Sequence, residues 1–118
     1  MMSFNADKYL INQNASIKEA LKKIEQNHLG FIFSCDEQGK VLGLATDGDI
    51  RRSLINGNSI NELISICTNN SFISASSSTP RENLIKRLDS HIQFIPILDD
   101  NGKLISIISK DYLPLDDE

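Results

Sequence analysis

The chain lacks long hydrophobic runs. No segment approaches the roughly 18 apolar residues that read as a membrane helix, and the N-terminus has no basic stretch followed by an apolar one. Neither a membrane span nor a secretory leader is expected, and the expected compartment is cytoplasmic. Cysteine is scarce. Cys35 and Cys67 make neither a Cys-x-x-Cys pair nor part of a ligand cluster, and they read as two reduced thiols. Basic charge is in deficit, with 12 Lys and Arg against 16 Asp and Glu and a formal net charge of -4. That balance argues against non-specific nucleic-acid binding, which needs a basic field to neutralise phosphates. A nucleotide is still allowed, because backbone N–H groups can hold a phosphate on an acidic protein.

Familiar catalytic signatures are missing too. There is no Ser-His-Asp, His-Glu-x-x-His or P-loop pattern, so an enzyme in its own right is the least supported reading. His28 and His91 have no Cys or carboxylate cluster beside them and make a poor zinc site. Thr46-Asp47-Gly48-Asp49 starts like a calcium loop, but Ile50, Arg51 and Arg52 stand where further oxygen ligands are needed. No metal and no required cofactor is expected.

What the chain does have is a repeat. Residues 63 positions apart match, as Ser16 and Thr79 do, and so on through Glu19/Glu82, Leu21/Leu84, Lys23/Lys86, His28/His91, Phe31/Phe94, Asp36/Asp99 and Lys40/Lys103. A constant offset means two copies of one supersecondary unit, neither of which buries its apolar face alone. At 118 residues the two copies are expected to share one compact module.

The elements follow from local signals. Tyr9-Leu10-Ile11 reads as a short strand. Ser16 and Glu19 fit a capping box ahead of Ile17, Ala20, Leu21 and Ile24 at helical spacing. Phe31 to Cys35 and Val41 to Ala45 read as a hairpin about Asp36-Glu37-Gln38-Gly39. Thr46 to Ile55 is a second helix closed by Asn56-Gly57, and Ser59 with Glu62 predicts a short helix over Ile60 to Ile66. The second copy repeats this order. It has a strand at Phe72-Ile73, a helix capped by Thr79 with Pro80 at its first position and running to about Ser90, and a hairpin from Phe94 to Ile108. Ser109 opens a last helix that Pro114 cuts short. Each copy reads strand, helix, strand, strand, helix, which gives an α+β fold with helices packed on small sheets.

The segment Gly43-Leu44-Ala45-Thr46-Asp47-Gly48-Asp49 carries most of the functional signal. It runs from a strand into a helix N-terminus, whose first amides are unpaired and carry the positive end of the dipole. The Thr46 hydroxyl and those N–H groups suit a phosphate, while the acceptor-only carboxylate of Asp49 suits two ribose hydroxyls. Gly48 removes a side chain where a ligand approaches. Against this stands a purely structural account, in which Thr46 and Asp49 form a capping box. Arg51 and Arg52 have the same ambiguity. They can reach a phosphate tail or make surface pairs, Asp47 with Arg51 being an ordinary i,i+4 pair.

Two such units with Gly43-x-x-Thr46-Asp47-Gly48-Asp49-Ile50-Arg51-Arg52 after the first hairpin resemble a tandem pair of cystathionine-β-synthase-type (CBS) domains, a Bateman module. The resemblance covers about Lys8 to Leu115. Repeat one falls at about 8–66, repeat two at about 71–115, and 116–118 form an acidic tail or the start of a linker. It implies two βαββα repeats related by a pseudo-twofold axis, with Thr46 on phosphate and Asp49 on ribose. The base would lie near Tyr9-Leu10-Ile11 and Phe31-Ile32-Phe33, so Tyr9, Ile11 and Phe33 join Asp47 and Gly48 as candidate site residues. It also implies a homodimer through helices, with Ile50, Leu54 and Leu113 contributing. The second copy departs from the pattern. Gly43 becomes Ser106, Thr46 becomes Ser109 and Asp49 becomes Tyr112. Ser109 keeps the hydroxyl, but Tyr112 cannot accept two ribose hydrogen bonds.

The run Gly43 to Gly57 further resembles CBS pairs fused ahead of sugar-phosphate nucleotidyltransferases. The expected function is a regulatory module that binds an adenine nucleotide (AMP, ADP or ATP) and signals to a fused or partner catalytic domain. The alternative is a ligand-free dimerisation or docking module. No membrane or nucleic-acid partner is expected.

Overall fold

The computed structural model describes residues 4–89 and 92–109. The chain divides into two compact units, one of residues 7–72 and one built mainly from residue 73 onward.

In the first unit a 3-10 helix, Ala6–Tyr9, leads into β1 (Leu10–Asn12), α1 (Ile17–Asn27), β2 (Phe31–Cys35), β3 (Val41–Thr46), α2 (Asp47–Ile55) and a second 3-10 helix, Ile64–Cys67. The sheet order is β1-β2-β3, with β1 parallel and β3 antiparallel to β2. Alternation along β2 sorts the sheet into two faces. Ile32 and Ala45 are paired and, with Ile11, meet Ile17, Ala20 and Ile24 of α1 and Ile50 of α2 in one buried cluster. Phe31 and Phe33 point the other way. Tyr9 stacks on Phe31 at 6.3 Å, Phe31 meets Phe33 edge-on at 5.5 Å, and Phe33 meets Phe72 at 5.9 Å.

Ser16 caps α1 as predicted, its hydroxyl accepting from the Glu19 amide at 3.1 Å. The short helix predicted over Ile60 to Ile66 does not form. The amides of Ile17 and Lys18, free at the start of α1, donate to the carbonyls of Glu62 and Ile60 at 2.8 and 2.9 Å. Those carbonyls are drawn outward to satisfy a neighbouring helix end, and only Ile64–Cys67 turn into a 3-10 helix. At the other end of α1, His28 adopts φ +62° and its amide donates to the Ile24 carbonyl. The buried Asn27 amide donates to the carbonyls of Lys8 and Phe31, tying the N-terminal segment to β2.

The second unit holds β4 (Ala75–Ser76), α3 (Arg81–Arg87), β5 (Phe94–Leu98) and β6 (Leu104–Ser109), with sheet order β4-β5-β6 and the same strand directions. The hairpins superimpose by number. Phe31 pairs with Thr46 as Phe94 pairs with Ser109, and the bulge at Ser34/Cys35 recurs at Ile97/Leu98. Asp36 Oδ1 accepts from the amides of Gln38 and Lys40, and Asp99 Oδ1 does the same for Asn101 and Lys103. Leu84, Leu88, Ile95 and Ile97 form the buried cluster of this unit. Each unit is thus a small mixed sheet with helix packed on one face, an α+β fold.

Before the helix the offset slips by one. Gln13, Asn14 and Ala15 separate Asn12 from Ser16, but only Ser77 and Ser78 separate Ser76 from Thr79. The strand predicted at Phe72-Ile73 forms instead at Ala75–Ser76, the shorter turn accounting for one residue of that displacement. The shorter turn also takes the Thr79 hydroxyl away from the helix, since it accepts from the Ser76 amide at 3.1 Å and Pro80 becomes the cap. α3 ends at Arg87, short of Ser90. Ser90, His91 and the predicted last helix, with Asp111, Tyr112, Leu113 and Pro114, lie outside the described residues.

Candidate functional site

β3 delivers Thr46 in an extended conformation (φ -106°, ψ 165°) at the point where α2 begins. The Thr46 hydroxyl accepts from the Asp49 amide at 3.1 Å, and Asp49 Oδ2 accepts from the Thr46 amide at 3.0 Å. The reciprocal capping box is complete. The other carboxylate oxygen, Oδ1, accepts from Arg52 Nη2 at 2.8 Å. Arg52 is 67% exposed and Asp49 31%. The ion pair at this tip is therefore Asp49–Arg52, not the Asp47–Arg51 pair expected from spacing. The Asp47 amide donates to the Gly30 carbonyl at 2.9 Å. The Gly48 amide is thus the tip donor with no partner among the described residues.

Two glycines shape the segment in different ways. A Cβ on Gly48 would lie 3.1 Å from Arg52 Nη1, so the guanidinium lies across Gly48. A Cβ on Gly43 would lie 2.7 Å from Asn70 Oδ1 and 2.9 Å from the Thr68 Cβ. The connector packs there because Leu44 and Asn69 exchange both backbone hydrogen bonds, at 3.0 and 2.8 Å. Gly43 is required by the protein's own chain. Thr68, Asn69 and Asn70 carry no motif in the sequence that would mark them as neighbours of this segment.

The other candidates fall on different faces. Phe31 is opposite Thr46 in register, so the aromatic face with Tyr9 and Phe33 ends at the helix tip. Tyr9 and Phe33 are buried, at 3% and 0% exposure. Ile11 is on the opposite face, in the cluster beneath α1 and α2, and offers a ligand only its backbone. Ile50, named as a dimer contact, is buried in that same cluster, and Leu54 packs against it. Their stripe is turned inward because α2 covers the sheet with it. Ser109 is buried at the end of β6. Among the described residues no group of three or more His, Cys, Asp or Glu is placed to hold a metal ion, and no helix is long and apolar enough to cross a membrane. Cys35 is half-buried, and burial followed by nearby Asp36 pushes its thiol above the ordinary 9.0, opposite to what a reactive thiolate needs.

A family model described as the CBS domain matches the chain twice, over residues 6–56 and 63–113. Arabinose 5-phosphate isomerase GutQ of Escherichia coli (strain K12) is 32% identical over 99 residues, covering 80% of this chain and 30% of that protein. The same enzyme from Salmonella typhi is 35% identical over 98 residues, with the same coverage. The chain spans less than a third of these isomerases, and neither is a nucleotidyltransferase, the context suggested by residues 43–57. A CBS-domain protein from Pyrobaculum aerophilum complexed with AMP matches with a TM-score of 0.76 at 16% identity, over 92% of this chain and 88% of that one.

Proposed function

The chain belongs to the CBS-domain family, and from that premise we propose that it is a regulatory module whose first repeat binds an adenine nucleotide at the tip of α2. The observation that carries the proposal is the set of groups gathered there. The uncommitted Gly48 amide and the Thr46 hydroxyl suit a phosphate, and the Asp49 carboxylate lies one turn along the same helix. A carboxylate has about four lone-pair directions, and the capping box and Arg52 each occupy one. Oδ2 is taken up by the capping box, so a ribose would reach the carboxylate at Oδ1, the oxygen that Arg52 holds. The aromatic face ends at Phe31 beside Thr46, but its rings are buried against one another, so the base would lie at the edge of that face. AMP in the Pyrobaculum aerophilum relative supports the choice of ligand class. In the second repeat Tyr112 stands at the position of the acid in sequence and cannot accept two ribose hydrogen bonds as a carboxylate can.

Asp49→Ala should cost about 1.5–3 kcal/mol of AMP affinity, the range for hydrogen bonds to a charged group. Titration calorimetry with AMP, ADP and ATP measures it, and unchanged affinities for all three would remove the ribose assignment.

The completed capping box also favours a second reading, a docking or dimerisation module that uses Thr46 and Asp49 for structure alone. A ligand at a hundred times its dissociation constant stabilises by about 2.7 kcal/mol. A nucleotide thermal-shift panel therefore separates the two readings, and the docking reading predicts a flat response. In either case the module serves a catalytic domain, fused or separate, and the relatives point to sugar-phosphate isomerisation as its chemistry. Self-association through helices belongs to the same proposal. It would use exposed residues such as Ile55, which is 75% exposed, in place of Ile50.

A further inference from the structure

We infer that Arg52 is an internal competitor for the ribose site that turns into a phosphate ligand once displaced, so that the module prefers a phosphorylated ligand to a bare nucleoside. This rests on the reading of Thr46 and Asp49 given above. Three observations carry it. Arg52 holds Asp49 Oδ1, the oxygen that the capping box leaves open. Its guanidinium lies across Gly48, in the space a side chain there would fill, at the residue whose amide has no partner among the described residues. And it is 67% exposed, held by one exposed ion pair, which is cheap to open.

Charge at the tip supplies the reason for a second role. A helix N-terminus offers about half a positive charge, but Asp47 and Asp49 both stand in the first turn of α2. An incoming phosphate meets two carboxylates before it meets the dipole. The site needs a cation released at the moment the ligand arrives. A ribose that takes Oδ1 frees the Arg52 guanidinium, whose planar fork suits a phosphate, beside Gly48. A nucleoside opens the same ion pair and gains nothing in return.

The test titrates the 118-residue chain with adenosine and with AMP, followed by NMR chemical shifts so that weak binding is still read. Arg52→Ala should tighten adenosine by up to about fivefold, the span of an exposed ion pair. It should weaken AMP by about tenfold, the loss of one charge-assisted hydrogen bond. Arg52→Lys should recover part of the AMP affinity, since it restores the charge without the fork. Shifts of the same sign for both ligands, or no shift for either, overturn the exchange. Asp49→Ala is measured alongside. If it leaves AMP binding intact, the site beneath this inference is misplaced, an outcome distinguishable from same-sign Arg52 effects on a site that does need Asp49.

Discussion

The two units share a hairpin down to its register, its bulge and its aspartate turn, yet they diverge at the hairpin's end. In the first, β3 ends in Thr46 with a carboxylate three residues on, and Gly43 lets the connector close against the strand. In the second, Ser109 ends β6 at the same register position, Ser106 replaces the glycine, and Tyr112 replaces the acid. The shared scaffold includes the Asp36 and Asp99 turns, whose side chains accept from two amides each. The copies part at Gly43 and Asp49, where the first unit carries a glycine that admits the connector and an acid that completes a capping box.

The deepest test of that comparison is the shared core. Ile32 and Ile95 occupy equivalent strand positions and are both fully buried. Truncating either to Ala should cost about 2–5 kcal/mol, because the cavity adds to the lost transfer energy. Ile32 is packed among residues of α1, α2 and the Ile64 turn, and Ile95 among Leu84, Leu88 and Ile97. Urea unfolding measures both losses, and losses of equal size would mean the units are alike in packing as well as in register.

A smaller effect is expected from giving the first unit the second unit's residue at Gly43. Gly43→Ser places a Cβ against Asn70 and the Thr68 Cβ. The connector must then move from β3 or the strand must bend, at about 1–3 kcal/mol as in other overpacked sites. Thermal unfolding should show the loss, and proteolysis should cut faster near Thr68 to Asn70. A neutral Gly43→Ser would mean that the connector yields freely and that the glycine serves the ligand after all.

Much of this architecture was legible in the sequence. The hairpins, the α1 cap at Ser16 and the capping box at Thr46 and Asp49 follow from local chemistry, because donor and acceptor lie within a few residues of each other. Part of what stayed hidden needs a partner distant in sequence, and part is a choice between local partners. The carbonyls of Ile60 and Glu62 are claimed by α1, which removed a predicted helix. A turn shortened by one residue moved β4 by that residue and took the Thr79 hydroxyl out of its capping role. The inward face of Ile50 was set by the sheet beneath it. At the site, the types of residue could be read in advance, but not that Arg52 would engage Asp49 or that Gly43 would be closed over by Asn70.

The subtlest difference between the units is at the bulge, where Cys35 in the first corresponds to Leu98 in the second. The Cys35 thiol donates to the Ile11 carbonyl at 3.5 Å, and burial raises its pKa above 9.0. A group whose folded pKa is raised favours the folded state while it is neutral in both states. That contribution is intact below about the unfolded value of 9.0 and is lost as pH climbs through the higher folded value. Asp36 acts in the same direction as burial, and Lys23 opposes them. The chain should thus lose stability in alkaline solution above 9.0, through the first unit. Cys35→Leu, which copies the second unit, should flatten that loss while leaving stability near neutral pH little changed. Unfolding midpoints measured across the alkaline range for both proteins decide it. Parallel alkaline curves would show that the thiol is not responsible, and that the two bulges differ in composition without differing in behaviour.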